Sequence, residues 1–122
     1  MQDAVATLEQ LKKIAHEFAD EREWHQFHTP KNLSMCLSAE AAELMELFLW
    51  VESKDSLAQV EDKKEAVEHE LADVFLILLL FCNRTGIDLA AALERKMVLN
   101  RKKYPVEKVK GKSAKYTEYE NS

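Results

Sequence analysis

The chain has 122 residues, 47% of them apolar and 32% charged, with a formal net charge of −5. This size supports one soluble domain with a modest core, and the acidic balance argues against a general nucleic-acid binder, whose affinity comes from clustered Lys and Arg. Only two Gly and two Pro are present, too few for the tight turns of an all-β fold, so the expectation is all-α.

In chain order, the N-terminal segment has no basic stretch followed by an apolar core, so no secretory signal is read there. The first helix is predicted over residues 3–22, where Val5, Leu8, Leu11, Ala15 and Phe18 recur at helical steps. EWHQFHTPKN, residues 23–32, is aromatic and histidine-rich without helical periodicity. Thr29 and Pro30 read as the N-cap and first-turn proline of a second helix running to Val51. A polar connection follows, with room for a short helical turn. The third helix is predicted from Lys64 to Arg84, with Gly86 as its C-terminal cap. Asp88 caps a fourth, from Leu89 to Lys103, which Pro105 stops. The organisation expected is a helical catalytic domain over residues 1–105, with residues 106–122 as its basic, polar, extended tail.

Cys36 and Cys82 stand far apart and form neither a disulfide framework nor a zinc spacing; both are expected to be buried structural thiols. Val74 to Cys82 is an unbroken apolar run, about half the length that spans a bilayer. The expectation is a soluble, cytoplasmic protein with no membrane or nucleic-acid partner.

Two acidic pairs break the amphipathic pattern. On the second helix Leu33, Leu37, Leu44, Leu47 and Val51 form an apolar stripe, with Glu40 in its middle and Glu43 at its edge, while Glu46 points to solvent. On the third, Ala66, Val67, Val74, Ile77 and Phe81 surround Glu70, and Asp73 lies beside Ile77. His69 lies off this face and reads as structural or solvent-facing. Four inward carboxylates exceed the cations able to pair with them, and buried charges pair or bind metal. An all-oxygen donor set favours Mg²⁺ or Mn²⁺ over Zn²⁺, and Mg²⁺ is commonly completed by substrate phosphates. A di-iron carboxylate protein is the rival metal reading, although it wants Glu-x-x-His pairs and here the pairs are Glu40-x-x-Glu43 and Glu70-x-x-Asp73. A non-enzymatic helical oligomerisation module, its acids paired with Lys and Arg of another subunit, also stays open. Lys96, Asn100, Arg101, Lys112 and Lys115 are candidates to neutralise phosphates, though each is individually better read as part of a solvated face. An apolar run on all sides of the third helix points to at least a dimer.

EAAE (Glu40 to Glu43) followed by ELAD (Glu70 to Asp73), with EWHQFHTPKNL, ELMELFLW, KMVLNRKKYPVEK and GKSAKYTEY around them, resembles the all-α, MazG-like nucleotide pyrophosphohydrolases. Within that group the likeness is to the dCTP pyrophosphatase branch, and it covers residues 16–119. It implies a four-helix bundle-like protomer, assembled as a tetramer of paired dimers. It implies Glu40, Glu43, Glu70 and Asp73 as Mg²⁺ ligands and catalytic groups, and hydrolysis of a nucleoside triphosphate, dCTP or a modified dCTP, between its α and β phosphates in house-cleaning of the nucleotide pool. It also implies substrate contacts at His16, Trp24, His25, Gln26, Phe27, His28 and Trp50. A tyrosine that animal members carry four residues after the last acid is Ile77 here. Trp24 and Trp50 offer flat faces on which a base can stack.

Overall fold

The computed structural model describes residues 1–113. Among these residues every regular element is helical: α1 (Leu8–Glu21), α2 (Pro30–Glu46), α3 (Ser56–Asp62), α4 (Lys64–Thr85), α5 (Leu89–Lys103) and the single turn α6 (Val106–Val109), with 3₁₀ turns at His25–Phe27 and Ser53–Asp55. The all-α expectation holds, and each of the four long helices is found.

Local chemistry explains most boundaries. Thr29 caps α2 by accepting from Asn32 N, Asp88 caps α5 by accepting from Ala91 N, and Gly86 closes α4 at φ 72°, a left-handed conformation that glycine adopts without strain. Other boundaries differ from the sequence reading. α1 begins at Leu8 rather than Asp3, because Thr7 and Gln10 form a reciprocal capping box there. α2 ends at Glu46, short of Val51. Beyond it the chain tightens into shorter bonds, Leu47 N to Leu44 O and Phe48 N to Met45 O, and the Leu47 carbonyl accepts instead from Gln59 Nε2 at 2.9 Å. The polar connection is largely ordered as α3, and the tail, expected to be extended, turns once as α6 after Pro105. Lys115 and most of GKSAKYTEY lie outside the described residues.

The chain gathers into two compact units, Met1–Gly86 and the part from Ile87 onward. In the first, α4 is the central helix: α2 packs along it, and α1 and α3 also pack against it. The core is Ala15 and Ala19 of α1, Leu33 of α2, and Leu79 and Leu80 of α4, with Leu8, Leu11, Leu76, Ile77 and Phe81 packed around it. The two small alanines let α1 approach α4 closely, and Asn83 Nδ2 donates to Lys12 O at 2.8 Å across the same seam. In the second unit α5 carries Arg101, Lys102 and Lys103 in its last turn, where cations favour the helix dipole.

Cys82 is buried as expected, but Cys36 is exposed. It lies beside Leu33 over a groove that no side chain among the described residues fills.

The capping box gives a direct test. Thr7→Ala should lower unfolding free energy by about 1 kcal/mol, read as a shift in the denaturation midpoint with an unchanged slope.

Candidate functional site

The α2–α4 seam has an apolar end and an acidic end. Leu33 near the start of α2 meets Leu79 and Leu80 late in α4, while Glu40 and Glu43, further along α2, meet Glu70, early in α4. The helices therefore run antiparallel, and their registers bring two helix-spaced acid pairs to one place. Oxygens of Glu40, Glu43 and Glu70 lie within 4.8 Å of one another. Glu40 and Glu70 are half-buried and Glu43 is exposed. Asp73 is not among those three. It is exposed, and its charge acts on both Glu40 and Glu70.

Burial raises the pKa of Glu40 above the ordinary carboxylate value, reinforced by a hydrogen bond with Glu43 and by the charges of Glu43, Asp73 and Glu70. Glu70 is raised likewise, first by burial, then by hydrogen bonding and charge from Glu43 and by Asp73, against a small opposing pull from His69. Glu40 Oε2 and Glu70 Oε2 are buried without a hydrogen-bond partner among the described residues. A buried carboxylate oxygen left in this way is costly unless a cation takes its charge. The donor set, oxygen throughout, fits a hard divalent ion such as Mg²⁺ or Mn²⁺. His69 is exposed, 3.9 Å from Glu65, and is not part of this cluster, whose members are all carboxylates.

The remaining predicted site residues, Trp50 excepted, form a second surface at the other end of α4. After α1, Glu23 adopts φ 54°, a left-handed conformation unusual for a residue with a side chain. It turns the chain so that residues 24–28 fold back beside α1. Gln26 Nε2 donates to Glu23 O and Asn32 Nδ2 to Phe27 O, each at 2.9 Å, holding the turn. The His16 and His25 rings stack at 4.6 Å, and His28 meets His25 edge-on at 6.3 Å. Together they line a cavity of about 150 Å³ with Leu80, Asn83 and Arg84. Its burial, and secondarily the charge of His25, lower the His28 pKa and favour the neutral ring. Trp24, Phe27 and His28 also line an apolar groove of about 410 Å³ with Asn32, Leu33, Met35 and Cys36. Trp24 is held edge-on to Phe18 at 5.6 Å, and the Arg22 guanidinium sits 4.0 Å above the Phe18 ring.

Trp50 joins neither group: it follows the end of α2 and is 95% exposed. Glu70 and Leu80 are ten residues apart on one helix, so the acidic and histidine surfaces lie about 15 Å apart along it. Asp20, Asn83 and Arg84 were not singled out as site residues from sequence. The four-residue step from His16 to Asp20 is the signal that marks Asp20, while Asn83 carries none.

The chain matches a known class. A model of the MazG-like family matches residues 35–119. The chain is 41% identical to rat dCTP pyrophosphatase 1 over 92% of its own length and 67% of that protein, and 40% identical to the human counterpart over similar shares. A crystal structure of a pyrophosphatase from Archaeoglobus fulgidus superposes with TM-score 0.78 at 40% identity, covering 86% of this chain and 98% of that one. The chain belongs to the MazG-like family.

The carboxylate cluster predicts the pH dependence of metal-free stability. Between the ordinary and the raised values, folded Glu40 and Glu70 hold protons that the unfolded chain has released. Stability in chelator should therefore fall as pH rises through that interval and stay lower at neutral pH. Glu70→Gln should raise the neutral-pH melting temperature in chelator, and excess Mg²⁺ should raise the parent's more than the variant's. Differential scanning calorimetry across a pH series measures both.

Proposed function

We infer that this chain is a nucleoside triphosphate pyrophosphohydrolase dependent on Mg²⁺, with Mn²⁺ as a substitute, that cleaves its substrate between the α and β phosphates. The observation that carries the reading is the carboxylate cluster: buried, unpartnered oxygens of Glu40 and Glu70 beside Glu43, in a chain of the MazG-like family. The names of its dCTP pyrophosphatase relatives favour dCTP or a modified dCTP as substrate and a house-cleaning role in the nucleotide pool.

Glu40, Glu43, Glu70 and Asp73 are the residues that hold the cation. Bound there, Mg²⁺ supplies neutralisation of the triphosphate and of the charge developing at phosphorus. Packing of the α2–α4 seam fixes the carboxylates, so little reorganisation accompanies the reaction. Glu43, the exposed member of the trio, accepts the proton of the attacking water as general base. His16, Gln26 and the aromatic turn Trp24–His28 receive the nucleoside, and Trp50 stacks on the base. The 15 Å between the two surfaces, together with the bare Trp50, favours a site completed by a second copy of the chain. Leu49 and Leu57, 52% and 82% exposed, add apolar surface that such a copy would cover. A tetramer of paired dimers is the assembly proposed.

Three outcomes test this reading. Turnover should fall roughly a hundredfold or more in Glu70→Gln, on the scale of losing one transition-state stabiliser, with helicity retained by circular dichroism. Trp50→Ala should raise KM more than it lowers kcat, because a lost stacking contact acts on binding. In ¹⁸O-water the label should enter the nucleoside monophosphate. Label in pyrophosphate would mean attack at the β phosphorus, and release of orthophosphate would remove the pyrophosphohydrolase reading.

A further inference from the structure

The turn between α1 and α2 brings together a second set of ligand-type side chains, chemically unlike the first. His16 and Asp20 are four residues apart on α1 and share a face. The 3₁₀ turn returns His25 over them, so that one ligand atom from each of the three lies within 4.8 Å of the other two. His25 Nε2 stands 3.6 Å from Asp20 Oδ1, too far for a hydrogen bond, and it is buried without a hydrogen-bond partner among the described residues. In a tetrahedral zinc site with bonds of 2.0–2.2 Å, adjacent ligand atoms are about 3.4 Å apart. The His25–Asp20 gap is close to that spacing.

We propose that His16, Asp20 and His25 form a site for a divalent transition ion, zinc foremost, separate from the carboxylate cluster on α2 and α4. Two imidazoles and one carboxylate are a donor set suited to zinc and its neighbours, whereas the oxygen-only cluster suits Mg²⁺. The surroundings support it. The stacked His16 and His25 rings are already neighbours, and small rotations bring their nitrogens toward a shared ion. His28 is adjacent, its ring edge-on to His25 and its Nδ1 buried and unpartnered among the described residues, which makes it a reserve fourth ligand. Arg84 lines the same cavity and its charge opposes a dication; the Asp20 carboxylate offsets it. Three ligands with an open position are the pattern of an exchangeable site rather than a closed structural one. Because His16 and His25 also belong to the surface proposed for the nucleoside, zinc there competes with nucleotide and inhibits Mg²⁺-supported turnover. That consequence rests on the proposed function, whereas zinc binding itself does not.

Calorimetric titration of the full chain with Zn²⁺, in saturating Mg²⁺ and without nucleotide, tests the site. Visible absorption of the Co²⁺ form serves as a probe of nitrogen ligation. The parent and Glu70→Gln should each bind one zinc per chain, while His25→Gln and Asp20→Asn should weaken binding about tenfold or more, as losing a metal-supporting group does. Asp20 is 69% exposed, so its replacement keeps the fold and carries the test if His25→Gln does not fold. Where turnover is measurable, Asp20→Asn should also resist zinc inhibition relative to its own zinc-free rate. No zinc bound by the parent, equal affinity in parent and Asp20→Asn, or loss of binding in Glu70→Gln would each overturn the proposal. Zinc binding as expected without any nucleotide hydrolysis would leave this site standing and remove the proposed function instead.

Discussion

Like charges drawn together in a helix seam oppose folding, and this protein draws together three. Glu40, Glu43 and Glu70 sit where the α2–α4 interface turns from apolar to acidic. Their mutual repulsion is tolerated because the rest of the seam is strongly apolar: Leu33 against Leu79 and Leu80, with Ile77 and Phe81 packed alongside. Burial there pulls the helices together with a force that does not depend on charge. The acids are thus held in place by apolar packing, and a cation bound among them would relieve the repulsion they store. Such an arrangement exchanges stability of the empty protein for affinity toward a divalent ion.

The same helix serves two chemistries at its two ends. Near its start α4 presents Glu70 to oxygen-donor partners on α2, and near its end Leu80, Asn83 and Arg84 line the histidine cavity. The first is a hard, anionic surface; the second is built of imidazoles and aromatic rings. The two donor sets differ in softness, which is the chemical basis for proposing a different ion at each. No single described helix is long and apolar enough to cross a bilayer.

Much apolar surface remains outside the core. Met35, Met45, Leu49, Trp50, Leu57 and Leu71 are each more than half exposed, more than scattered single exposures account for. The core is small among the described residues, with Leu33 the one large side chain there that is buried almost completely. A protomer with so little interior gains most from association, which is the physical basis for proposing an oligomer in which Trp50 reaches another chain.

The sequence by itself determined the long helices and the inward placement of Glu40 and Glu70, whereas Glu43 and Asp73, also read as inward, are exposed because they lie toward the open edge of the seam. Short-range chemistry is written locally: Thr29, Gly86 and Asp88 act on neighbours within one turn, and 3.6-residue periodicity placed Glu40 and Glu70 inside before any partner was known. The capping box of Thr7 and Gln10 is equally local, yet apolar Val5 upstream continues the helical period past it. Tertiary structure alone decided what lies opposite. Whether α2 stops at Glu46 depends on Gln59 reaching the Leu47 carbonyl. Whether Cys36 is covered depends on a groove wall that the described residues do not supply. That Glu43 meets Glu70, while Asp73 stands outside the tight trio, follows from the antiparallel register of two helices separated by α3. The grouping of His16, Asp20 and His25 depends on a left-handed Glu23 that reverses the chain. Periodicity fixes direction around one helix axis, whereas distance across a seam is set by how the side chains of both helices pack.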